Sequence, residues 1–181
     1  MPREHMSTVA TFDVTNGPLT RDLEEVFQEH YALVYRTAYG VTGSPQDAED
    51  IVQSLFLQLL RLGFPGGLKD NPKAYLYRAT INLSLNAVKA RRRLVPIEDP
   101  ARLEAPATGT TESDERAQRR LIDALAQLSP KAVEILVLRY KHNYSDAEIG
   151  KLLGTSRGVI AVTLYRARAR LKKLLLLEEK P

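Results

Sequence analysis

The chain has no cysteine among its 181 residues, which excludes a disulfide framework and any thiolate-ligated metal site. Its three histidines, at positions 5, 30 and 142, are too scattered for metal-ligand spacing or for a serine, histidine and acid grouping. No glycine-rich loop follows a strand pattern, so a phosphate cradle is not indicated, and no strand alternation or internal repeat is found. No apolar run approaches the roughly 20 residues needed to cross a bilayer, and the N-terminus lacks the apolar core of a secretory signal. These absences predict a cytoplasmic protein without membrane insertion, catalytic residues, metal or cofactor.

What the chain has is helical period and unevenly placed charge. There are 26 basic and 22 acidic residues and 44% hydrophobic content, ordinary for one globular domain or two small ones. The early helices are acidic, whereas residues 89–93 and 166–173 are basic, so local fields suggest a polyanionic partner. Residues 1–19 have weak periodicity and read as a disordered tail. From residue 20 to 93 the pattern is helical. A first helix carries Leu23, Val26, Phe27, Tyr31, Val34 and Ala38 and stops at Gly43. Ser44 and Pro45 read as the cap and first turn of a second helix, whose apolar face is Ala48, Ile51, Val52, Leu55, Phe56, Leu59 and Leu60. Gly63, Pro65, Gly66 and Gly67 break it.

Asn71 and Pro72 open a third helix with Leu76, Ala79, Leu83 and Ala87 on its apolar side. Its opposite side lines up Arg78, Asn82, Asn86, Lys89 and Arg93, two amides between cations. Asparagine is a poor helix-interior residue, so a pair at i and i+4 suggests a use that outweighs propensity. Residues 94–112 contain three prolines and no helical period and read as a flexible linker. Beyond it, residues 113–177 form a four-helix unit in which Ser129 and Pro130 start one helix. The fold class is all-α, with two small helical domains and a helix-turn-helix in the second.

That motif is read from YSDAEIGKLLGTSRGVIAVTLYRARARLKK, residues 144–173. Ser145 and Glu148 have capping-box spacing, Gly154 suits a left-handed helix exit, and Thr155 or Ser156 can cap the next helix. The second helix has six basic residues and no acidic one. Ile160, Leu164, Ala167, Leu171 and Leu174 make its core stripe. Val162, Tyr165, Arg166 and Ala169 are left for a partner, and a helix of this kind fits a DNA major groove.

Two helical units, the first ending in a basic helix and the second in a helix-turn-helix, resemble the extracytoplasmic-function sigma factors of bacterial RNA polymerase, in the sigma-70 family. The likeness is carried by SPQDAEDIVQSLFLQLLRL (44–62), NPKAYLYRATINLSLNAVKARRR (71–93), LSPKAVEILVLRY (128–140) and the helix-turn-helix, in the family's order. It implies a region 2 domain at 20–93, a linker at 94–112 and a region 4 domain at 113–177. The partners it implies are core RNA polymerase, through its clamp coiled coil and flap, promoter DNA, and an anti-sigma factor of the kind that often accompanies the family.

By the same resemblance, Asp50, Gln53, Ser54 and Leu57 would face the clamp, with Ser54 where the family commonly has glutamate. Asn82 would line a pocket for an extruded −10 base, with Arg78 and Asn86 beside it and Lys89, Arg91, Arg92 and Arg93 on the backbone. Tyr75 stands where tryptophan is frequent; both it and Tyr77 read as core. The −35 element would meet Ser156, Arg157, Ala161, Val162, Thr163, Tyr165, Arg166 and Arg170. Ala161, Val162 and Thr163 replace a basic residue, serine and arginine, which predicts contacts to thymine methyls and fewer bonds to guanine. On residues alone, a stand-alone helix-turn-helix regulator and a protein-interaction module remain open beside this reading.

Overall fold

The computed structural model describes residues 18–63, 65–94 and 112–177, which form eight helices and no strand. Most of the expected tail and linker lies outside the described residues. The exceptions are helical: Pro18 and Leu19 begin the first helix, and Leu94 and Glu112 are the inner ends of the two helices beside the linker.

Helix α1 (Pro18–Thr42) ends at Gly43, whose φ of 66° permits the turn into α2 (Pro45–Leu62). Ser44 caps α2 by accepting from the Asp47 amide, and Pro45 occupies the first turn. The glycines after α2 do more than break it. Gly66–Asp70 forms a short helix, α3, anchored by the buried Leu68, a turn the glycine-rich composition concealed. Asn71 then starts α4 (Pro72–Leu94) by accepting from the Ala74 amide at 3.1 Å.

The second half comprises α5 (Glu112–Ala126), α6 (Pro130–Tyr140), α7 (Asp146–Leu153) and α8 (Arg157–Leu177). Ser129 caps α6, and Ser145 with Glu148 closes the full capping box on α7. Gly154 leaves α7 at φ 66°, ψ 38°, the left-handed conformation expected of it.

Val34, Val52, Leu55, Phe56, Leu59, Leu68 and Leu76 form a core among α1, α2, α3 and α4. Leu60, placed on that face by period, is exposed. The expected apolar side of α4 does meet α1 and α2, but a second side is buried as well. Tyr77, Ile81 and Leu85 join one continuous cluster with Leu125, Leu128, Val133, Leu136 and the helix-turn-helix core, and Val88 packs with Ile122 and Ala126. The two halves are therefore packed together in one body. Helix α6 lies between them, which is why six successive residues from Val133 to Leu138 are buried where an amphipathic helix would bury half. Tyr140, expected on that apolar face, is instead exposed beneath the Arg168 guanidinium, 5.5 Å from its ring centre.

Candidate nucleic-acid interface

Along α4 the residues at three-four spacing opposite Leu76 and Leu83 stay in water because both buried sides are already filled. Arg78, Asn82, Asn86, Lys89, Arg91, Arg92 and Arg93 are all exposed. Three of the cations face carboxylates: Arg91 pairs with Asp47 of α2 at 2.8 Å, Arg92 meets the Asp123 carboxylate of α5 at 3.4 Å, and Arg78 stands near Glu134 of α6. Arg78 and Asn82 sit at the rim of a cleft of about 390 Å³ whose far wall is the start of α6, including Ser129, Lys131 and Glu134.

Glu134 is only 4% exposed, and its Oε1 has no hydrogen-bond partner. Arg78 Nε stands 3.9 Å from that oxygen, within ion-pair reach but too far for a hydrogen bond. Burial pushes the carboxyl pKa up, against the opposing pull of Arg78 and Lys131.

The helix-turn-helix is held tightly by Gly150. A Cβ there would meet the Thr155 carbonyl oxygen at 2.8 Å and the Arg157 amide at 3.3 Å. The core stripe of α8 is buried as period predicts, with Leu171 half-buried. On the opposite side Arg157, Ala161, Val162, Tyr165, Arg166 and Arg170 are exposed, Tyr165 by 75%. Two hydroxyls of the expected −35 set are turned to the backbone. Ser156 accepts from the Val159 amide as the cap of α8, and Thr163 donates to the Val159 carbonyl at 2.7 Å.

On α2, Asp50, Gln53, Ser54 and Leu57 are exposed together, Leu57 by 49%, an apolar side chain left beside acidic and polar ones. Leu60 extends that apolar surface. Nearby, Phe27 of α1 packs edge-on against Phe56 at 4.7 Å and is itself partly exposed.

Sequence reasoning did not find the groups that join the halves. Thr37 Oγ1 and His142 Nε2 are 2.9 Å apart, Arg36 donates to the Lys141 carbonyl at 3.1 Å, and Asn71 donates to the Leu152 carbonyl at 3.0 Å. Gln118 reaches the Gly43 carbonyl at 3.2 Å. The ring of Tyr77, 1% exposed, is edge-on to His142 at 4.9 Å. Only Glu134, a lone charge inside an apolar run, carried a signal in the sequence.

Comparison with known families matches residues 26–94 to the Sigma-70 region 2 model and residues 118–171 to the Sigma-70, region 4 model. The ECF RNA polymerase sigma factor SigE of Mycolicibacterium smegmatis is 29% identical over an alignment covering 96% of this chain and 70% of that protein. The RNA polymerase sigma-E factor of Streptomyces antibioticus is 31% identical, covering 84% of this chain and 83% of its own. A solved structure of the sigma factor RpoE from Bartonella quintana, in complex with the anti-sigma factor NepR, is similar with a TM-score of 0.48 and 23% identity, covering 89% of this chain and 99% of that one. With both regions matched in order and relatives of this identity aligned over most of their length, the chain belongs to the extracytoplasmic-function sigma factors of the sigma-70 family and directs promoter-specific transcription initiation with RNA polymerase.

Proposed function

We propose that residues 20–93 form the domain that holds core polymerase and opens the −10 element, and that residues 113–177 form the domain that reads the −35 element as duplex. In this reading Asp50, Gln53, Ser54 and Leu57 dock on the clamp coiled coil, and the second domain meets the flap. Asn82 receives an extruded base, Asn86 and Arg78 flank it, and Lys89, Arg91, Arg92 and Arg93 hold the displaced backbone. Amides bond a base edge while cations neutralise phosphates, and trapping an unstacked base draws the equilibrium toward melted DNA. At α8, Ala161 and Val162 give apolar contact to thymine methyls, and Arg157, Arg166 and Arg170 meet phosphates or base edges. The protein supplies no bond chemistry. Its work lies in the cytoplasm with polymerase and promoter, and among the described residues no helix is long and apolar enough to cross a membrane.

The observation that carries this reading is the exposed stripe on α4, two asparagines between cations on a helix otherwise buried on two sides. Asn82→Ala is the test. Open-complex formation, followed by permanganate reactivity of unpaired thymines, should fall by about tenfold, the weight of a lost base-edge contact of about 1–3 kcal/mol, while affinity for core polymerase is kept. Melting at the wild-type level would remove the pocket assignment.

A further inference from the structure

We infer that Arg168, which lies outside the α8 set assigned above, grips a backbone phosphate of the −35 duplex, and that Tyr140 of α6 is the positioning residue that holds its guanidinium ready. The inference rests on the reading of α8 as the duplex-binding helix and adds to it one contact and the support of that contact.

Tyr140 departs from the pattern of its own helix. Six successive residues of α6, Val133 to Leu138, are buried, whereas Tyr140 is 55% exposed with its ring against the Arg168 guanidinium, 5.5 Å from the ring centre. The ring therefore ties the end of α6 to the exposed flank of α8. A ring face attracts a cation without supplying a counter-charge. That separates Arg168 from Arg139, one residue before the ring, which donates to the Tyr144 carbonyl at 3.0 Å and faces the Asp146 carboxylate at 3.8 Å. Among the described residues no carboxylate pairs with Arg168. Its charge is held in place and left unneutralised.

Its position along α8 is the one a phosphate contact needs. At about 100° per residue, Arg157, Ala161 and Arg168 fall within about 40° of one another, and all three are exposed. At about 1.5 Å per residue, Arg168 lies about 16 Å beyond Arg157. The leading residues of a recognition helix meet base edges inside a groove about 12 Å wide. A side chain that much farther along the same flank has passed the groove's width and is level with the phosphates. The planar guanidinium can bond two phosphate oxygens at once. Holding it beforehand against a ring spares the cost of ordering a long side chain on binding.

The test uses RNA polymerase holoenzyme reconstituted with each variant, and a fluorescent duplex that carries the −35 element and stops short of the −10 element. Arg168→Gln should lower the slope of log affinity against log salt by about 0.9, the share of one phosphate, with a loss of about fivefold to tenfold at about 0.1 M salt. Tyr140→Leu keeps the charge and should keep the slope, yet weaken binding by about twofold to fivefold, the weight of an exposed contact between cation and ring. Tyr140→Phe keeps the ring face and should bind within about twofold of wild type. A wild-type slope for Arg168→Gln would overturn the phosphate contact. Equal affinities for the Leu and Phe variants would overturn the role of the ring, a comparison that stands even where Arg168→Gln fails to fold. A wild-type holoenzyme that does not hold this duplex would instead overturn the reading of α8 on which the inference rests.

Discussion

Thr37 donates its hydroxyl hydrogen to the Leu33 carbonyl at 2.7 Å, so toward His142 Nε2, 2.9 Å away, it must accept. His142 Nε2 therefore carries the hydrogen of this bond. Burial first and the Arg36 charge second hold its pKa down at about 4. The ring is neutral near pH 7, and the stability of the folded state that holds it neutral is present above the ordinary histidine value of about 6.5 and is lost progressively as pH falls toward 4. Glu134 acts oppositely: its raised pKa favours the neutral acid, so its contribution is full below the ordinary value of about 4.3 and fades as pH rises through the folded value. His142→Phe should flatten the pH dependence of thermal unfolding between pH 7 and 5, and an unchanged profile would contradict the assignment. Glu134→Gln replaces a buried carboxyl whose Oε1 has no hydrogen-bond partner. It should raise stability at pH 7 by about 1 kcal/mol, read as a higher melting temperature, and a lower one would show that the carboxylate is compensated.

At the scale of elements, the caps were legible because each is a local agreement of two or three residues. Ser44 with Pro45, Ser129 with Pro130, and Ser145 with Glu148 behave as their spacing predicts. Helix α3 was hidden because its one anchoring side chain, Leu68, follows a proline and two glycines. The second buried side of α4 and the complete burial of α6 could not be read from period, since each arises from contact with the other half of the chain. The exposed asparagine stripe was legible because polar residues at helical spacing need no tertiary partner to be noticed. Gly150 was overlooked, although its place inside α7 is stricter than that of Gly154. Gly150→Ala should force the Thr155 carbonyl to move, cost about 1–3 kcal/mol as an overpacked site, and weaken duplex binding by shifting α8. Duplex affinity and melting temperature equal to wild type would show that the turn yields freely. Ser145→Ala, by comparison, should cost about 1 kcal/mol by removing a cap, read in the same melt, and leave the α8 face in place.

For the molecule as a whole, the length of residues 95–111 bounds how far apart the two halves could stand on separate promoter elements. A chain of that length reaches at most about 60 Å at roughly 3.5 Å per residue, which together with the bodies it joins suffices for promoter elements about 85 Å apart. Removing eight of those residues should leave polymerase capture through α2 intact while run-off transcription falls. Full activity after the deletion would show that the halves do not need that reach.

Six enclosed residues of α6 tie the fates of its neighbours together. A flaw introduced at any of them should loosen both sides at once, so heating ought to dissolve the described helices in a single cooperative step rather than two.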